Sequence, residues 1–508
     1  MAQPRDVVVV LLDSLNRHLL GAYGSGEFET PNLDRLAARS VRFTNHHTGS
    51  LPCMPARHDL LVGSLDFLWR PWGSIEIWEE AITHQLRRDK GISTMLVSDH
   101  PHLFETGGEN YHTDFQGWDY LRGHEDDPWR TRPDPSFIGA PALPARTAHW
   151  EHAYDRARTW FRDEADFPGP RTMVAAAAWL EGELSADRGP DERALLVVDE
   201  FDPHEPFDTP EPWASRYDPD WEGDRIIWPP YATSHEQAGL DEREQRHLRS
   251  QYGAKLSMID HWLGRILEVI DRRDAWDTTA FVLCTDHGHY LGEHGFWGKP
   301  QAPVHPELGH IPLLISWPGV APGTCEALTT TVDLHATLCD AFEVTPEHRT
   351  HGQSLVPLLE GTSDSVRDWA LCGVWGREVH VVDATRTYAK TPVEENRPIS
   401  MWSNRWSTMP IRILGYRMPK PDDRAWLDRS PGSTVPVIRQ PFDPSDALPF
   451  WAGGRFLGDV LYDRAASDAG EFRNEAGGPA DKEMTELMVE ALRAIDAPDE
   501  QLVRLGLT

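Results

Sequence analysis

Val7-Val8-Val9-Val10-Leu11-Leu12, close to the start of the chain, is an unbroken apolar run that ends in Asp13-Ser14. A continuous Val/Leu run suits a strand covered on both faces, as in a parallel sheet. Two further runs read the same way. Ala194 to Val198 leads into Asp199, Asp202 and His204, and Thr279 to Cys284 leads into Asp286-His287. Ligands in open α/β sheets bind beyond the carboxyl ends of the strands. Three polar clusters at three such ends therefore predict one site on one sheet edge.

Helical patterns lie between the strands. Thr30-Pro31 predicts a capped helix start, with Leu33, Leu36 and Val41 on the buried face. Tyr252 to Ile270 carries Leu256, Ile259, Leu263, Ile266, Leu267 and Ile270 on one stripe. Strands alternating with helices give an α/β fold. The expected architecture is a large mixed, mostly parallel sheet sandwiched by helices over 1–365, with a smaller C-terminal α+β domain over 366–508. Leu313 to Ser316 is a further short strand. His380 to Asp383 and Ile411 to Leu414 are strand-like pieces of the second domain, and Asp481 to Ile495 is its closing helix. The proline-rich segments 122–147 and 206–240 read as ordered loops over the site.

Composition narrows the function. Lys and Arg total 49 against 81 Asp and Glu, a net charge of −32. That disfavours nucleic acid and anionic membranes as partners, so any anion must be held by local cations. No stretch reaches the length of a membrane span. The first residues lack a signal-peptide pattern, so a cytoplasmic location is the expectation. The five cysteines, Cys53, Cys284, Cys325, Cys339 and Cys372, form no CxxC pair and give neither a disulfide framework nor a zinc site.

Ser50-Leu51-Pro52-Cys53-Met54-Pro55-Ala56-Arg57 carries the sharpest chemistry. Pro55 fits a first helical turn, which puts Cys53 at a helix N-terminus, where exposed N–H groups favour an anion. Arg57, four residues on, shares that face. The spacing alone also suits a structural cysteine. Asp13 with Asp286 and His287 makes a divalent-metal site, although Asp13 by itself fits a helix N-cap equally well. Oxygen ligands suit Ca²⁺, Mg²⁺ or Mn²⁺, and the histidine points toward Mn²⁺. Lys299, the only lysine between residues 256 and 388, is either idle or a point charge for a tetrahedral oxyanion. His204, flanked by Pro203 and Pro206, is rigidly held, as a general acid should be. Trp69-Arg70-Pro71-Trp72 offers rings for a sugar or aryl group, or plain packing.

Taken together and in order, these motifs resemble the type I, formylglycine-dependent sulfatases of the alkaline phosphatase superfamily. The resemblance rests on Asp13, Thr30-Pro31-Asn32-Leu33, Cys53-x-Pro55-x-Arg57, Asp202-Pro203-His204-x-Pro206 and Thr285-Asp286-His287-Gly288 through Lys299. It continues through Pro312-Leu313, Trp317-Pro318-Gly319, Val332-Asp333-Leu334, Gly352-x-Ser354-Leu355 and Leu461-Tyr462-Asp463 with Glu471 and Asn474, and so covers essentially the whole chain. It implies hydrolysis of a small-molecule or saccharide sulfate ester. Cys53 would be converted to formylglycine by a formylglycine-generating enzyme. A divalent metal, Ca²⁺ by the resemblance, would sit on Asp13, Asp286, His287 and residue 53. Arg57 would hold charge at the formylglycine oxygen, and His204 and Lys299 would act on the sulfate and the leaving oxygen. Two departures stand out. Ser14 replaces the second aspartate of the usual Asp-Asp pair. Ser98-Asp99-His100-Pro101-His102 stands where a Gly-Lys-Trp-His segment is usual, which makes His100 or His102 the candidate substitute for the lysine. Phosphonate monoester hydrolases vary at the same two places and are the rival reading. A sulfatase-like binding protein with unconverted Cys53 is a third. The oligomeric state, including a homo-oligomer, stays open.

Overall fold

The structure is a computed structural model; it describes residues 3–136, 153–189, 191–299, 301–406, 420–430, 433–454, 456–468 and 472–508. An eight-stranded sheet runs in the order Gly323–Cys325, Val41–Phe43, Leu313–Ser316, Thr279–Cys284, Asp6–Leu12, Ala194–Glu200, Ser93–Ser98, Gly117–Tyr120. The three apolar runs are its centre. Asp6–Leu12 lies between Ala194–Glu200 and Thr279–Cys284 and is parallel to both. Leu313–Ser316 pairs antiparallel with its two neighbours, which makes the sheet mixed.

Both faces of the central strand are covered, as its sequence requires. Val7, Val9 and Leu11 pack with Met54, Leu61 and Val62 of the helix Cys53–Val62 and with Leu338 and Phe342 of Val332–Phe342. Val8, Val10 and Leu12 pack with Leu256, Ile259, Leu263 and Ile266 of the long helix Glu242–Arg272 and with Met173 and Leu180 of Pro168–Ser185. Burying each such leucine stabilises the fold by about 2 kcal/mol, and truncating one to alanine costs about 2–5 kcal/mol.

Two local expectations change. The helix after Thr30 ends at Ala37, and Val41 belongs to a strand, where it and Phe43 alternate into the core. Thr30 stands at the N-cap, but its side chain makes no cap bond. The buried Asp260 carboxylate accepts the N–H groups of Asn32 (3.0 Å) and Leu33 (2.7 Å) instead, tying this helix to Glu242–Arg272.

A second sheet runs Val460–Asp463, Arg386–Lys390, Val379–Val382, Ala370–Val374, Ser50–Leu51. Its last strand comes from the loop just before Cys53, so this sheet is joined to the nucleophile segment. The helix Asp481–Ala494 covers it through Met484, Met488 and Leu492. A further helix, Asp499–Arg504, had no clear sequence signal. The expected strand Ile411 to Leu414 lies outside the described residues, as do 137–147 of the first proline-rich loop. No helix among the described residues is long and apolar enough to cross a membrane.

Candidate active site

Strand register assembles the site. Leu11 pairs with both Asp199 and Cys284, so Asp13 and Asp286 each stand two residues beyond the same level. Cys53 begins its helix, as the proline pattern requires. The buried Asp59 of that helix accepts the Ser50 N–H (2.6 Å) and hydroxyl (2.7 Å), fixing the loop that leads into Cys53. Gly63 ends the helix at φ 79°, and a Cβ there would collide with the His335 ring.

Asp13, Cys53, Asp286 and His287 are all buried, and one potential ligand atom from each lies within 4.8 Å of the others. The His287 Nδ1 faces the Gly288 carbonyl at 2.8 Å, so the Nδ1–H donates there and Nε2 is free to ligate. That Nε2 is 3.3 Å from Asp286 Oδ2 and 3.4 Å from Cys53 Sγ. Two carboxylates and an imidazole nitrogen fit a hard divalent cation, and an oxygen in place of the Cys53 sulfur would complete an oxygen-rich set. Ser14, with a left-handed φ of 62°, donates its hydroxyl to Asp13 Oδ1 (2.7 Å) and its N–H to Asp286 Oδ1 (3.1 Å). It orients the two carboxylates without adding a charge.

Arg57 is not a free anion clamp. Its guanidinium binds Asp199 through Nε (2.8 Å) and Nη2 (2.7 Å), Asp13 through Nη2 (2.9 Å) and Asp286 through Nη1 (2.6 Å). A fifth bond runs to the Cys53 carbonyl at 3.1 Å. Three carboxylates and one carbonyl use the whole fork, so Arg57 balances the metal-side charge and supports the backbone of residue 53. Burial acts to raise the Asp13 carboxyl, but Arg57, His204 and Lys299 outweigh it and hold it well below the usual range. Burial and the Asp13 charge push the Cys53 thiol well above its ordinary value. As encoded, residue 53 is a protonated thiol and a poor nucleophile.

Lys299 is buried and engaged. Its ammonium lies 2.5 Å from His204 Nε2 and 3.4 Å from the Ser14 hydroxyl. His204 Nδ1 faces the Glu205 carbonyl at 2.7 Å, and the ring stacks on Phe201 with centroids 4.1 Å apart. Burial, helped by the Lys299 charge, lowers His204 to about 3. Burial also opposes the Lys299 charge, but Glu205, Asp13 and Asp286 outweigh it and hold the ammonium above the ordinary lysine value. The proton thus sits on Lys299, and neutral His204 accepts from it.

The two candidate substitutes for the missing lysine separate. His102 pairs with Glu105 and with Glu125 (3.3 Å), which overcome its burial and raise it to about 10. His100 is fully buried with neither ring nitrogen hydrogen-bonded, and its Nε2 is 3.6 Å from Asp13 Oδ2. Burial and the Arg57 charge keep it neutral. Both proline-rich loops reach the site: His124 binds Asp202 at 2.7 Å, and Tyr231 donates to Glu205. Trp69, Arg70 and Trp72 are core; Arg70 binds Asp66, Glu76 and Glu79.

Four residues around the site had no assigned role from sequence: Asp199, Glu205, His289 and Tyr231. Asp199 was legible, because it ends a buried strand on the same edge as Asp13. The other three carry no spacing signal that distinguishes them from ordinary loop residues.

Paired carboxylates, an imidazole and an ammonium around a buried residue at the carboxyl edge of this sheet define a hydrolase of the alkaline phosphatase type. The chain belongs to the sulfatase family, whose profile matches residues 5–344, and it is a sulfuric ester hydrolase. It is 29% identical over 391 residues to a choline-sulfatase of Rhizobium meliloti (strain 1021), covering 70% of this chain and 72% of that protein. The phosphonate monoester hydrolase of Agrobacterium radiobacter shares its fold, with a TM-score of 0.63 at 18% identity, covering 97% of this chain and 96% of that one. BT1596, described as a 2-O GAG sulfatase, superposes with a TM-score of 0.60 at 16% identity over 97% and 93% of the two chains.

Proposed function

We propose that this hydrolase cleaves organic sulfate monoesters through an aldehyde at residue 53, made from Cys53 by a formylglycine-generating enzyme. One observation carries the reading. The buried, protonated Cys53 thiol stands at a helix N-terminus within ligand distance of Asp13, Asp286 and His287, a place for an oxygen nucleophile and a poor one for a thiol. Asp13, Asp286, His287 and an oxygen of residue 53 would hold a divalent cation, Ca²⁺ or Mn²⁺, which when bound supplies Lewis acidity to the sulfate oxygens.

The chain's own groups do the rest. One hydroxyl of the aldehyde hydrate gives up its proton to water and its oxygen bonds to sulfur as the bond from sulfur to the alcohol oxygen breaks. The departing oxygen takes a proton from Lys299, which His204 holds in place. The second hydroxyl then passes its proton to the Lys299 amine, restoring the ammonium. The C–O bond to the sulfate breaks, the aldehyde returns, and a water molecule adds to it to restore the hydrate. His100, neutral and without a hydrogen bond, donates to the sulfate in place of the lysine that the resemblance leads one to expect there. Arg57 keeps the carboxylates from repelling the anion. Sulfated saccharides are among the candidate substrates, as BT1596 is described as a 2-O GAG sulfatase; choline sulfate is another, from the Rhizobium relative.

Ser14 and His100, where this chain departs from its family, favour a second reading: phosphonate monoester or phosphodiester cleavage by the same groups. Parallel assays with 4-nitrophenyl sulfate and 4-nitrophenyl phenylphosphonate decide. Faster turnover of the sulfate is expected; equal or faster turnover of the phosphonate would overturn the sulfatase reading.

A further inference from the structure

Glu205 follows His204 directly and is 4% exposed. Its Oε1 accepts the Tyr231 hydroxyl, and its Oε2 lies 3.2 Å from His289 Nε2. The same Oε2 is 3.4 Å from His204 Nδ1 and 4.0 Å from Lys299 Nζ. The loop around it is rigid. Lys255 binds the neighbouring Asp202 (2.7 Å) and the Pro206 carbonyl (2.6 Å), and Phe207 N–H donates to the Ile227 carbonyl (2.7 Å). His289 Nδ1 is itself 2.9 Å from the Tyr290 carbonyl, so the ring that meets Glu205 is fixed from behind.

A buried carboxylate is costly unless it is paired. This one faces the two groups that handle the leaving oxygen. Resting on the ester-hydrolysis reading above, we propose that Glu205 is a positioning residue for leaving-group protonation: held by Tyr231 and His289, it keeps the Lys299–His204 pair aimed at the oxygen that departs from sulfur. Burial opposes its charge, but His204, Lys299 and the His289 contact outweigh it and hold its carboxyl well below the usual range, which supplies the counter-charge for Lys299.

Such a role has a signature that a structural role lacks. Protonation matters most for a basic leaving group and least for a good one. The test uses matched aryl sulfates, phenyl sulfate and 4-nitrophenyl sulfate, with the holoenzyme and its Glu205→Gln variant. Glutamine keeps the shape and the acceptor for Tyr231 and removes only the charge. The expected result is a kcat loss of about threefold on 4-nitrophenyl sulfate and about thirtyfold on phenyl sulfate, with KM held within about threefold, since general acid catalysis spans about 10²–10⁴. Tyr231→Phe, at a partly exposed ring, should shift the same ratio by a smaller factor and guards against misfolding of the first variant. Equal fractional losses on both esters in both variants, or no loss, would overturn the proposal. Failure of the sulfate reading would show separately, as native enzyme inert on both sulfates and active on the matching aryl phenylphosphonates. The leaving-group ratio would then be read on that pair, with the same outcomes.

Discussion

Replacing Arg57 with methionine removes one positive charge from among three buried carboxylates and keeps the side-chain volume. The native contacts are short, 2.6–2.9 Å to Asp13, Asp199 and Asp286. With charge centres about 4 Å apart and an effective dielectric of about 20, each pair is worth roughly 4 kcal/mol before desolvation. Desolvation of the guanidinium cancels much of that sum, and removal of one partner from a buried ion cluster costs about 3–5 kcal/mol net. At roughly 3 kcal/mol per molar urea, the midpoint should fall by about 1–2 M. Tryptophan fluorescence reads it, given 21 tryptophans. The loss should be largest at neutral pH. In the variant the orphaned carboxyls titrate above their unfolded value, so they take up protons on folding and the penalty fades as pH falls toward that value. Millimolar Ca²⁺ or Mn²⁺ should restore part of the midpoint, because a dication on Asp13 and Asp286 replaces the missing charge. A native-like midpoint, with or without cation, would refute the view that Arg57 is the counter-charge of this cluster.

His100→Ala should lower kcat/KM for sulfate esters about 10–100-fold, the range for losing a hydrogen bond to a charged group, and His100→Gln should recover part of it; an unchanged value would remove His100 from the sulfate. His102→Ala should instead act on stability, because its partners are Glu105 and Glu125, and a melting point equal to native would refute that. Acid stability is set by buried neutral histidines. Burial lowers His46, His335, His351 and His380 to about 3 and His305 to about 4. The unfolded chain therefore binds their protons first, and stability present above about pH 6.5 is lost on the way down to those values, at about 1.4 kcal/mol per group per pH unit. His58, raised to about 9 by Glu79 against its burial, runs the other way and loses its contribution as pH rises to that value. A melting temperature flat from pH 7 to pH 4 would contradict the histidine account.

The three central strands were legible because each is buried on both faces, so hydrophobicity alone marks them. Their shared edge followed from the polar residues at each strand end, which is why Asp13, Asp286 and His287 could be grouped before any coordinates. Val41 misled because its spacing from Leu33 and Leu36 fits a helix, while its burial comes from the neighbouring strands Leu313–Ser316 and Gly323–Cys325. Arg57 misled more deeply. Its position beside Cys53 was right, but a sequence does not say which charges an arginine will meet across the fold, and Asp199 is 142 residues away. The contrast between His100 and His102 comes from Glu105 and Glu125, which engage His102 and look like ordinary surface in the sequence. Glu205 was hidden for the opposite reason: it sits inside a recognisable motif at the position the motif leaves free.

The account turns on residue 53. Peptide mass spectrometry across Ser50 to Arg57, on active protein made alongside a formylglycine-generating enzyme, tests it most directly. The account predicts the aldehyde in place of the thiol, in proportion to specific activity. Fully active protein with an unmodified Cys53 thiol would contradict it.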